Sequence, residues 1–447
     1  MLYILFLVLI FLLYYTFIME KRDVASPSFL FVASFVFSCF WAILYKDDWN
    51  LKLHFNTFAV IAGGCLIFVI ICTITKFFLT SFSKRIEEEK ETKLEYIYIE
   101  KYTKIVVVLF ALLTIGLTIN KLLKITGYPL SRLSDAMSLF DKNKFNDNKL
   151  SLGRGISYCR TIVNALGFWY VYVLLNNFIC SKKIDILSAI IVVLSLVSSL
   201  ITGSRGGAII MILGSTFLFI ILKRQNNEEN GTFDLKLIGK ILLIFTLILM
   251  VFQYSGRLIG RKSNSSNALI NASMAEYLAT YCGAEINNLD MFLQERWNEN
   301  RGIFGSQTFI YVIRFLGPRL DINDYNYNLD LPYVYIGNHK LGNVYTLFYP
   351  LIYDFGYVGM VLLTANMAVI TQVIYELTKR ISTRDCPIIC ILVYSYMVPT
   401  IVLSFFSNKF YENIFNTNFV KMVILWYLFN FCMLKIRIKI RKNYYEE

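Results

Sequence analysis

Along the chain, apolar runs about as long as a bilayer is thick alternate with short polar stretches. A helix needs about 20 mostly apolar residues to cross the hydrocarbon core. That criterion predicts about eleven spans, near 2–18, 28–45, 57–79, 104–123, 156–180, 184–201, 207–222, 236–254, 346–375, 387–407 and 417–434. The two-residue alternation of a membrane barrel is absent. The pattern predicts an all-α, polytopic membrane protein, with 1–447 as a single integral membrane domain. The first run, Leu2 to Ile18, has no basic residues before it and no small-residue cleavage site after it. It reads as a retained span rather than a signal peptide.

The polar stretches between the runs sort by charge. Basic residues gather at Lys21 and Arg22, at Lys84–Lys101, at Lys182 and Lys183, at Lys223 and Arg224, at Lys379–Arg384 and in the tail after Lys435. Cytoplasmic loops carry the excess of Lys and Arg. The expected topology therefore has the N-terminus outside and the C-terminus inside. Three features then share the outer side: the turn Thr202–Gly207, the loop 124–155, and a stretch of about ninety residues, 255–345, far longer than an ordinary connection. Within that large loop, "NASMAEYLATYCGAEINNLDMFLQE" reads as one amphipathic helix, with Met274, Tyr277, Leu278 and Tyr281 at helical spacing. "GSQTFIYVIRFLG" reads as a second helix, lying against the membrane surface. On the inner side, "KRIEEEKETKLEYIYIEK" reads as a solvated charged helix. No internal repeat is evident.

Composition agrees with this picture. The chain has 447 residues, 56% hydrophobic and only 17% charged, with a net charge of +13. The positive-inside bias accounts for most of that charge, so it does not point to nucleic acid. The nine cysteines lie mostly within apolar runs and form no CxxC or Cys/His set of zinc type, so no metal site or cofactor is expected. No G-x-x-x-x-G-K-[ST] loop is present, which disfavours a nucleotide-driven pump.

The chemistry-bearing residues lie on the outer side. Arginines occur there at Arg132, Arg154, Arg160, Arg205, Arg257, Arg261, Arg314 and Arg319. An arginine near hydrocarbon needs a carboxylate, a phosphate or water, and headgroup contact by snorkelling is the plain alternative. Arg205 stands apart. In "ITGSRGGAII" the flanking glycines let backbone N–H groups approach an anion, and a helix N-terminus begins at once. These donors together with a guanidinium suit a pyrophosphate. A second cluster is "GNHKLGNVYTLFYPLIYDFGYVG", residues 337–359. It holds His339, Asp354 at a span boundary, and a Gly356/Gly359 pair expected to allow close helix packing. Asp354 reads either as a functional acid or as a helix cap, and His339 either as a proton acceptor or as a solvated loop residue.

Taken in order, "TGSRGG", "YCGAEINNLDMF", "FGSQTFIYVIRFLG" and "GNVYTLFYPLIYDFGYVG" resemble the bacterial O-antigen polymerases, the Wzy-type oligosaccharide repeat-unit polymerases. The resemblance covers roughly residues 150–435. It implies a GT-C-like glycosyltransferase of the bacterial cytoplasmic (inner) membrane that joins undecaprenyl-pyrophosphate-linked repeat units at the outer face. Membrane lipids would surround it, and a chain-length regulator and a flippase of the same pathway are its implied partners. It implies a phosphate contact at Arg205 and a site formed by the segment Asn343–Gly359. From the residues themselves, Arg154, Arg257, Arg261, Arg314, Arg319, Asn343 and Tyr345 are further candidate substrate contacts, and His339 or Asp354 the candidate to take the acceptor's proton. The chain departs from one family signature, since no arginine stands eleven positions before a glycine. An O-antigen ligase and a lipid-linked oligosaccharide flippase or other transporter are the alternative readings.

Overall fold

A computed structural model describes residues 1–83, 94–143, 150–203, 205–226, 274–296, 305–320, 329–337, 339–380 and 387–435. The chain is a polytopic helical membrane protein. Among the described residues, eight helices are long and apolar enough to cross a bilayer. They are α1 (Leu2–Met19), α2 (Pro27–Leu44), α3 (Phe55–Ser83), α4 (Lys101–Thr126), α6 (Arg154–Ser181), α8 (Gly206–Asn226), α12 (Phe348–Arg380) and α13 (Pro387–Val402). Two shorter apolar helices, α7 (Ile186–Leu200) and α15 (Thr417–Asn430), stand where two further spans were expected. The expected span 236–254 lies outside the described residues, as do Arg257 and Arg261. The remaining helices are short: α5 (Leu133–Asn143), α9 (Met274–Cys282), α10 (Ala284–Met291), α11 (Ile310–Leu316) and α14 (Lys409–Ile414).

Small residues let the long helices approach. A Cβ on Gly64 of α3 would lie 2.4 Å from the Phe348 ring of α12, and one on Gly167 of α6 would lie 2.1 Å from Ser195 Oγ of α7. Gly214 of α8 meets Phe168 and the backbone of Ser395 on α13 in the same way. Between helices in lipid, close van der Waals packing of this kind replaces the hydrophobic effect as the driving force. Aromatic rings fill the seams: Phe31 stacks on Phe68 at 4.0 Å, and Phe35 on Phe348 at 5.3 Å.

The helix ends converge in two polar clusters. At one end, the carboxylate of Asp23, in the α1–α2 connection, pairs with Arg224 at 2.5 Å and Lys379 at 3.6 Å and accepts from the Tyr375 hydroxyl. Burial opposes its charge, but these partners prevail and hold it below the usual carboxylate range. Lys76 meets the buried Glu20 nearby at 2.6 Å. At the opposite end, the 45–54 connection meets α10. The carboxylate of Asp290 accepts from the backbone N–H of His54 at 3.0 Å and from the Thr57 hydroxyl at 2.5 Å.

Several local expectations change. The charged linker expected to be helical is not helical over 94–100. Residues 94–100 run extended, because the side-chain amides of Asn176 and Asn177 bond the backbone of Glu95 and Ile97 much as a neighbouring strand would. The single amphipathic helix expected over 271–295 is broken at Gly283. A Cβ there would lie 2.7 Å from the Ala42 backbone nitrogen, so only glycine lets the chain pack flat on α2. Nor does α10 present a polar face to water, since Glu285, Asn287, Asn288 and Asp290 are all buried. A short antiparallel hairpin, β1 (Val334–Ile336) with β2 (His339–Gly342), interrupts the all-α pattern. The Gly356/Gly359 pair serves a kink rather than helix–helix contact. Gly356 takes φ 69° and ψ −169°, which breaks α12, and Gly359 folds against Phe355 across the break.

This arrangement puts the 45–54 connection, α9–α10 and the hairpin on one side, and the Asp23 cluster on the other. In a background stripped of native cysteines, single cysteines at Asp48 and at Tyr335 should react with an impermeant thiol reagent from the same side of the membrane, and one at Lys183 from the opposite side. Labelling of Asp48 and Tyr335 from opposite sides would contradict the fold.

Candidate functional site

Two polar constructions occupy the Asp290 side. The first is the turn before α8. Gly203 has φ +76°, and a Cβ there would lie 2.5 Å from the carbonyl oxygen of Met137. The turn therefore fits directly beneath α5, the amphipathic helix of the 124–155 loop. Arg160 of α6 reaches the turn from below, donating to Ser198 O at 2.9 Å and Thr202 Oγ1 at 3.1 Å. Its Nε is buried and has no hydrogen-bond partner among the described residues. Arg205 is only 8% exposed. Its carbonyl accepts the first helical bond of α8, from Ile209 at 3.1 Å, so the guanidinium belongs to the residue that opens the helix. Thus Arg160 reaches the same turn whose last residue, Arg205, opens α8. The hydropathy pattern marked Arg205 but gave no reason to link it to Arg160.

The second construction surrounds α10, the hairpin and the head of α12. Asn288 of α10 donates to Val344 O at 2.7 Å, which ties α10 to the segment Asn343–Gly359. Tyr345 is buried, stacks on Tyr349 at 4.3 Å and donates to Pro332 O at 3.1 Å. Its hydroxyl thus helps hold the chain before β1. Asn343 follows the hairpin at a bend and is half-buried. Asp354, just before the Gly356 break, accepts backbone N–H bonds from Thr308 at 2.6 Å and Gln307 at 3.1 Å. Gln307 Oε1 in turn accepts from the Asp330 amide at 2.7 Å. Of the two readings of Asp354, this geometry is that of a cap on the 305–309 turn.

His339 opens β2 and faces Glu276 of α9 at 3.8 Å, with both side chains 42% exposed. His54, the other histidine, has the closer acid: its Nδ1 lies 2.8 Å from Asp290 Oδ2. No local signal could have found this pair, since 236 residues separate its members. Arg154 is exposed at the first position of α6, and Arg319 is exposed over the Phe315 ring at 3.8 Å. Arg314 lies 5.4 Å from the Tyr311 ring. Burial lowers its pKa, opposed by Tyr311 and by Glu412, which itself pairs with Lys409 at 2.6 Å.

Glu285 is the most unusual group on this side. It is fully buried, and neither carboxyl oxygen has a hydrogen-bond partner among the described residues beyond an approach to its own backbone N–H. Burial pushes its pKa well above the usual glutamate range. Among the described residues, no group of three or more His, Cys, Asp or Glu is arranged to hold a metal ion. In comparisons of the chain with protein-family models, with curated proteins and with solved structures, nothing matches.

The raised pKa of Glu285 has a signed consequence. The folded state keeps a proton that the unfolded state has released above about pH 4.3, so stability falls as pH rises towards the folded pKa. Thermal unfolding in detergent should show the wild type losing stability as pH rises above about 5, by at most roughly 1 kcal/mol per pH unit from this group. The Glu285→Gln variant should lack that component. Identical pH dependence in the two proteins would show that Glu285 is ionised when folded.

Proposed function

We propose that the chain is a glycosyltransferase that polymerises oligosaccharide repeat units carried on undecaprenyl pyrophosphate, working at the outer face of the bacterial cytoplasmic membrane. In this reading the N-terminus and the Asp290 side face outward and the C-terminus is cytoplasmic. The observation that carries it is Arg205: an arginine only 8% exposed, at the opening residue of a helix in an apolar bundle. A guanidinium fork beside the backbone N–H groups of a helix N-terminus suits a dianionic headgroup. Arg160, fixed on Thr202, supplies a second positive charge beside the same turn. The order of the motifs along residues 150–435 supports the same reading.

The chemistry suits such a site. The donor sugar arrives with its leaving group attached, the lipid pyrophosphate. An acceptor hydroxyl attacks the anomeric carbon, the bond to the pyrophosphate breaks, and the pyrophosphate departs with the electron pair. Protein donors aimed at that group stabilise the developing charge, and fixed walls hold the acceptor in line. Arginines perform the first task here. The hairpin and the head of α12, on the same side, offer such walls.

Purified protein supplied with lipid-linked repeat units should form a ladder of polymer lengths. Transfer to a lipid acceptor would indicate a ligase instead, and translocation without a covalent product would indicate a transporter. Arg205→Ala should reduce polymerisation on the order of 100-fold while the protein still inserts normally. Arg205→Lys should recover only part, because a point charge lacks the bidentate fork. Unchanged chain length in the alanine variant would reject the phosphate role.

A further inference from the structure

We infer that His54, oriented by Asp290, is the residue that accepts the proton of the acceptor hydroxyl; this rests on the glycosyl-transfer reading above. The chain has only two histidines, and each faces an acid on the α9–α10 pair. The two pairs differ in kind. His339 and Glu276 are 3.8 Å apart and both 42% exposed, a loose surface pair in which neither side chain fixes the other. His54 and Asp290 are 2.8 Å apart, with Asp290 6% exposed and the imidazole 55% exposed. A buried carboxylate therefore holds an imidazole that water, and so a sugar, can reach.

The carboxylate is itself fixed. Its Oδ1 accepts from the His54 backbone N–H and the Thr57 hydroxyl, and these bonds tie α10 to the head of α3. The Oδ2 bond goes to the His54 ring itself, at Nδ1. What it does is place the proton of the neutral ring on Nδ1, since an ionised carboxylate only accepts, and leave the lone pair on Nε2. That is the arrangement of a general base steadied by an acid. It also lies beside the segment Asn343–Gly359, which bonds to α10 through Asn288, two residues before Asp290.

In the step, the acceptor oxygen forms its bond to the anomeric carbon and its proton passes to Nε2. The lipid pyrophosphate leaves with the electrons of the broken C–O bond. Asp290 stabilises the imidazolium until the proton is lost to water. His54 is the catalytic residue and Asp290 a positioning residue.

The test uses full-length protein in nanodiscs and undecaprenyl-pyrophosphate repeat units extracted from cells that lack the protein. His54→Ala should lower kcat at least about 100-fold with KM little changed, and added imidazole should restore part of the rate through the space the exposed ring vacates. Asp290→Asn should lower kcat in the wild-type background and cost nothing further in the His54→Ala background. A His54→Ala protein that elongates within a few-fold of wild type overturns the inference and leaves the polymerase reading intact. Loss without imidazole rescue, accompanied by a lowered Tm, assigns His54 to folding and also overturns it. If wild-type protein makes no ladder, the polymerase reading fails and this inference with it.

Discussion

Asp290 joins two parts of the chain that are distant in sequence. Its carboxylate accepts from the backbone and side chain of His54 and from Thr57, and so fastens α10 onto the head of α3. A segment of this kind cannot simply rest on a membrane bundle. Its backbone and polar side chains must find partners once they are covered, because each unsatisfied buried group costs about 1–3 kcal/mol. Asp354 solves the same problem for the 305–309 turn, and Asn288 for the chain entering α12. Each tie comes from one side chain meeting backbone groups far away in sequence. Gly283 permits the arrangement, since its missing Cβ lets α10 lie against the α2 backbone.

The hydropathy pattern made the spans legible because, in lipid, length and apolarity are the whole requirement for a crossing helix. The run 2–18 is matched by Leu2–Met19, and the run 28–45 by Pro27–Leu44. The region 274–345 was less legible for the same reason. Its polar residues Glu285, Asn287, Asn288 and Asp290 suggested a solvated helix face, yet they are buried, and no periodicity tells a buried polar residue from an exposed one. The Gly356 break was mistaken for a packing contact, because both uses of glycine look alike in sequence. Arg205 could be picked out because its glycine-rich neighbours marked a turn. His54 could not, because its partner lies 236 residues away.

The two polar constructions divide the work the proposed reaction requires. The turn at Arg205 offers positive charge beneath α5. The α10 module offers an imidazole held by a carboxylate, and a hairpin with the exposed rings of Tyr333 and Tyr335, with Lys340 Nζ 4.7 Å from the Tyr333 centroid. Aromatic faces of this kind suit the apolar face of a sugar, although tyrosines at a membrane boundary also serve as anchors. The buried carboxyl of Glu285, without a hydrogen-bond partner among the described residues, sits inside the module that carries Asp290. The reading places stability and chemistry in the same few residues of α10.

The most direct test of this account is amide hydrogen exchange across the large loop. If α10 is a docked element of the core, amides in 282–291 should exchange on the order of 100-fold or more slower than in an unstructured peptide of that sequence, approaching the protection of the adjoining spans. Exchange of that segment at the rate of an unstructured peptide would contradict the account at its centre, because Asp290 would then have no fixed position from which to hold His54.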